Sequence, residues 1–106
     1  MNSRPASKEA YTALVHVLDR LGPYEVQNKK TSLHIAHRRA FLGVHPRATG
    51  LLLTIVTTTA LDSTRVRKHE QVSANRYHNE VLLTGADDID DELTNWITQA
   101  YALTTT

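Results

Sequence analysis

Apolar residues recur at helical spacing in only two places in this chain, one near each end, and everything between them is patterned for strands. Ala10, Leu14, Val17, Leu18 and Leu21 fall on one helical face. The spacing predicts a helix over 7–21, with Ser7 or Ser3 capping its start. Gly22 followed by Pro23 ends it, because glycine takes the left-handed cap conformation and proline cannot continue the ladder. Near the other end, Ile89, Leu93, Trp96, Ile97, Ala100 and Tyr101 repeat the pattern after Gly85, with Asp87 or Asp88 as the cap. Each helix carries one apolar face that has to be buried against something else.

The middle supplies that something. Residues 24–27 read as a first strand and 28–30 as a turn. Residues 32–37 alternate, with Leu33 and Ile35 on one face and His34 and Ala36 on the other. Arg38-Arg39 makes a tight connection to a strand over 40–45, ended by Pro46, and 47–50 form a four-residue hairpin loop. Residues 51–58 are rich in β-branched side chains and apolar on both parities, which places them centrally. After a loop at 59–64, residues 65–72 read as a polar edge strand. A turn at 73–76 leads to an alternating strand over 77–84. The expected fold is α+β: five or six mostly antiparallel strands, with both terminal helices packed on one sheet face and the other face open.

At 106 residues the chain has the length of a single domain, 1–106. It contains no cysteine, so disulfides, thiolate metal sites and cysteine nucleophiles are ruled out. Its longest apolar runs fall far short of the ~20 residues that span a bilayer. The first residues lack the apolar core of a secretory signal. A cytoplasmic protein with no membrane partner is the expectation. No glycine-rich phosphate loop, nucleophile elbow or dinucleotide fingerprint occurs, so no catalytic residues and no cofactor are assigned.

Charge is sorted along the chain. Residues 26–79 hold nine of the twelve basic side chains and two acidic ones, whereas residues 80–106 hold six acidic side chains and no Lys or Arg. The formal net charge of +1 therefore hides a strongly basic middle. Lys29, Lys30, Arg38, Arg39, Arg47, Arg65, Arg67 and Lys68 are the candidate anion-binding residues. Lys29-Lys30 and Arg38-Arg39 stand at the two ends of one strand, where they would clamp phosphate. The alternative is that these charges only solubilise turns and edges. The acidic run Asp87, Asp88, Asp90, Asp91 and Glu92 lacks the spacing of a calcium loop. It fits a helix start, where carboxylates complement the macrodipole. No metal site is assigned.

Five of the six histidines lie in the basic middle. Strand parity puts His34, Arg67, His69, His78 and Glu80 together on the open face. His34, His69, His78 and Glu80 are thus a candidate ligand site of imidazoles and a carboxylate. Of the six Phe, Tyr and Trp residues, Trp96 and Tyr101 are claimed by the helix face and Phe41 and Tyr77 by the core, which disfavours an aromatic single-strand reader on that face.

The stretch from Lys29 to Ala36, then Arg39-Ala40-Phe41, Pro46, Gly50-Leu51, Val72-Ser73, Arg76-Tyr77 and Val81 resembles a bacterial and archaeal family of unknown function. That family is sometimes labelled a predicted transport protein and is found near nuclease and restriction-type domains. The resemblance runs from about Leu14 to Leu103. It implies an α+β fold and no known active site, and its neighbourhood favours nucleic acid by analogy alone. Three functions are expected from these readings. The leading one is a non-enzymatic module whose basic surface binds an anionic partner, nucleic acid first. The second is a protein-interaction module or homodimer using the open face. The third is a small enzyme or ligand-binding domain using the histidines.

Overall fold

The computed structural model describes residues 5–105. Helix α1 spans Pro5–Leu21, and six strands follow: β1 Glu25–Asn28, β2 Leu33–His37, β3 Arg39–Arg47, β4 Gly50–Thr57, β5 Val66–Ser73 and β6 Arg76–Leu83. A single 3-10 turn, Ala86–Asp88, leads into helix α2, Asp91–Leu103. The strands form one sheet in the order β1-β2-β3-β4-β6-β5, and every neighbouring pair is antiparallel. This is the expected α+β architecture, with β4 central and β5 at an edge.

Both helices bury their apolar stripes on the same sheet face. Ala10, Leu14 and Leu18 of α1 and Leu93, Ile97 and Ala100 of α2 join Ile35, Val44, Leu51, Leu53, Ile55, Val81 and Leu83 in one core. The strand residues are those of one parity, brought into line by the register Val44–Leu53–Val81. The opposite parity, represented by His34, Gly43, Thr54 and Glu80 in one cross-strand row, is covered by neither helix.

Several local expectations are corrected. Ser7 does not cap α1; it lies inside the helix, and its hydroxyl donates to the carbonyls of Gly50 (2.9 Å) and Arg47 (3.2 Å), fastening α1 to the β3–β4 turn. Ser3 lies outside the described residues. Pro46 does not end β3. It pairs with Leu51 inside the strand, beyond the last β2–β3 pair at Leu33–Val44, so its missing N–H faces a side with no partner strand. The β3–β4 loop shortens to Ala48-Thr49 as a result. At Gly50, an added Cβ would lie 1.8 Å from the Leu83 carbonyl oxygen, an approach only glycine permits. The cap of α2 is Asp90, whose carboxylate accepts from Leu93 N at 3.0 Å. Asp88 instead accepts from the backbone N and hydroxyl of Thr84.

Among the described residues, one strand residue with an amide side chain is buried, and that amide is fully used. Asn79 donates to the Ile55 carbonyl (3.0 Å) and the Thr57 hydroxyl (2.8 Å), and its Oδ1 accepts from Leu61 N (3.0 Å). It thereby pins the loop after β4 to the sheet. Among the described residues no buried side-chain polar atom lacks a partner.

Candidate functional site

Strand pleating makes the uncovered face from alternate residues of β2, β3, β4 and β6. Its centre is a hollow of about 270 Å³ lined by His34, Ala40, Leu42, Gly43, His45, Thr54, Val56 and His78. Gly43 forms part of its floor: a Cβ there would meet His45 Nε2 at 3.1 Å and Thr54 Cβ at 3.4 Å. His45 Nε2 lies 3.4 Å from Thr54 Oγ1, too long for a strong bond. Partial burial, helped by the charges of Arg47 and His34, holds His45 below the usual imidazole range, while Glu80 opposes that shift.

Two of the expected ligand-site histidines, His34 and His78, reach this hollow, and His69 does not. A bulge between Val66 and Lys68 inserts Arg67 and reverses the parity of the β5 residues after it. His69 therefore stands opposite Asn79, on the other parity, while Lys68 faces Glu80 and Glu70 faces His78. Glu80 sits in the row of His34, Gly43 and Thr54, one strand beyond Thr54, and borders the hollow rather than lining it. His45 replaces His69 in the cluster. Its parity with Gly43, against Leu42 and Val44, was a readable signal. Among the described residues no three His, Asp or Glu side chains converge to hold a metal ion.

The basic residues divide into those already engaged and those left exposed. Arg65 is engaged: its guanidinium donates to Asp90 (2.8 and 3.0 Å), Glu92 (3.3 Å) and the Asp88 carbonyl (2.7 Å), and lies over Trp96 at 5.9 Å. Arg39 donates to the Leu103 carbonyl at 2.9 Å, where a cation meets the negative end of α2. These two arginines thus hold opposite ends of one helix.

The rest lie at turns and along the β5 edge. Lys29 and Lys30 lie in the β1–β2 turn, closed by Lys29 N donating to Ser32 O at 2.8 Å. They line a cradle of about 420 Å³ with Asn28, Thr31, Ser32, Leu33 and Pro46. Arg47 is at the same end of the sheet. Arg38, at the β2–β3 tip, holds a left-handed backbone (φ 72°), an uncommon conformation for arginine. It shares the far end with Arg76, which sequence reasoning left out of the site although it has the parity of His78. Arg67 and Lys68 lie exposed on β5. Among the described residues, the carboxylate ion pairs are those of Arg65.

The open face thus carries a track along the strand axis. Arg47 and His45 lie at one end, the Gly43 floor with His34 and Thr54 in the middle, and His78 and Arg76 at the other end. Arg47 and Arg76 stand four residues to either side of the Gly43–Thr54–Glu80 row, so they are about 26 Å apart along the strands at roughly 3.3 Å per residue. Ala40, Val56 and His78 also line a second cleft, of about 230 Å³, which leads over the sheet end to Arg39, Arg76 and the last turn of α2.

The family described as Domain of unknown function (DUF5655) matches residues 1–104, nearly the whole chain. Its description carries neither a transport nor a nuclease assignment. No curated protein and no solved structure matches the chain. Among the described residues no helix is long and apolar enough to cross a membrane.

Proposed function

The chain belongs to the DUF5655 family of unknown function, and we propose that it is a non-enzymatic binding module whose uncovered sheet face takes an anionic polymer, nucleic acid. The observation that carries this reading is the track from Arg47 through His45, His34 and His78 to Arg76, with no carboxylate lining the hollow at its centre. Arg47 and Arg76 have backbone carbonyls as hydrogen-bond partners, which leaves most of their guanidinium donors for phosphate oxygens. Lys29 and Lys30 extend the positive charge at the Arg47 end, and Arg38 does so at the Arg76 end. Glu80 and Glu70 border the track on the β6–β5 side and steer a polyanion toward β3 and β4 by repulsion.

Fluorescence anisotropy of labelled single-stranded DNA, duplex DNA and RNA at about 50 and 200 mM salt tests the proposal, since phosphate contacts release counterions and weaken steeply over that range. Salt-sensitive binding, reduced by Arg47→Glu and Arg76→Glu, is expected. Absence of binding at the lower salt overturns it.

A further inference from the structure

We infer that the hollow between His34, His45 and His78 seats one unpaired nucleobase, which makes the partner a single-stranded nucleic acid rather than a duplex. This rests on the nucleic-acid reading and adds to it. At about 270 Å³ the hollow falls below the roughly 300–1,000 Å³ of sites for drug-sized ligands, and it suits a single ring system. Gly43, Ala40 and Val56 give it a small, apolar lining against which a base can lie, while the Leu42 side chain turns into the core on the other face. Its rim supplies three imidazoles, and histidine is among the side chains on which splayed bases stack. The imidazole nitrogens and the Thr54 hydroxyl offer both donors and acceptors to base edges. A base locked in a duplex stack cannot enter a recess in a sheet, whereas a single strand can turn one base inward while its phosphates follow the arginines. The space exists because residue 43 has no side chain, since even one methyl group there would press on His45 and Thr54.

The test compares three labelled probes of one length at low salt: a single strand, its duplex, and a strand with the same phosphates but abasic sugars. Stacking by one base predicts that the abasic strand binds roughly 5- to 150-fold more weakly than the intact strand. In the double variant His34→Ala/His78→Ala the gap between intact and abasic strands should close. Gly43→Ala, which narrows the recess without removing a rim histidine, should shrink the same gap. Unchanged circular dichroism confirms that the variants fold. Equal binding of intact and abasic strands to the wild-type protein overturns the base pocket while leaving the polyanion reading standing. A gap that survives in both variants places the base elsewhere and also overturns it. No binding by any probe overturns the polyanion reading itself.

Discussion

Arg65 donates to both oxygens of the Asp90 carboxylate, at 2.8 and 3.0 Å, and this contact joins the basic middle of the chain to its acidic final segment. Asp90 is also the cap of α2, so one carboxylate serves the helix start and the link to the sheet. The sorted charge is partly closed within a single molecule, and Arg65 is removed from the cations that a partner would meet.

Arg65→Ala should destabilise the fold by about 1–2 kcal/mol. Its carboxylate partners are half exposed, so the ion pairs themselves contribute little. Most of the loss comes from the bond to the Asp88 carbonyl and the packing over Trp96. Arg65→Lys should recover only part of this, because an ammonium cannot reproduce the guanidinium fork. Urea midpoints of the two variants check both statements.

Asn79→Ala should cost more, about 2–4 kcal/mol. It takes a donor from the buried Ile55 carbonyl and Thr57 hydroxyl and an acceptor from the half-buried Leu61 N, and a buried group left without its partner costs roughly 1–3 kcal/mol. Hydrogen exchange should show the loop after β4 opening first.

Gly50→Ala should prevent normal folding or cost several kcal/mol, since the new methyl would collide with the Leu83 backbone and cannot move away from it. Gly85→Ala is the control, because nothing lies within 4 Å of a Cβ at that position. Thermal melts of the pair should differ widely.

Acid should weaken the fold in two windows. Burial holds His45 below its ordinary 6.5, so the unfolded chain binds more protons just below that pH and stability falls as pH drops through it. His45→Gln should flatten the stability profile there. The Leu93 N–H and then Arg65 hold Asp90 below its ordinary 3.8. Its contribution is therefore complete above 3.8 and is lost as pH falls through the lower folded value. Asp90→Asn should remove that second loss. Denaturant titrations at a series of pH values measure both.

Strand parity was legible in the chain wherever the ladder ran without interruption, and failed where a residue was inserted. His34 on β2 and His78 on β6 reach one hollow because each stands at opposite parity to a buried neighbour, Ile35 and Asn79. His69 parts from them because the Arg67 bulge depends on cross-strand pairing, which no local pattern records. Pro46 looked like a strand end because its tolerance depends on how short β2 is. Arg39 and Arg65 read like their basic neighbours; only the path of α2, which brings Leu103 to one and Asp90 to the other, shows that they hold a helix. The open-face hollow needed glycine at 43 and histidine at 45 to be seen as one alternation, and the proline after them obscured it.

The most direct test of the proposed binding face is an amide chemical-shift titration of the isotopically labelled protein with a short single-stranded oligonucleotide at low salt. The perturbed residues are expected to trace the track from Arg47 through His45, Gly43, Thr54 and His34 to His78 and Arg76. The solvent faces of α1 and α2 should stay silent. Perturbations centred on those helices, with the open sheet face unmoved, would contradict the proposed binding face.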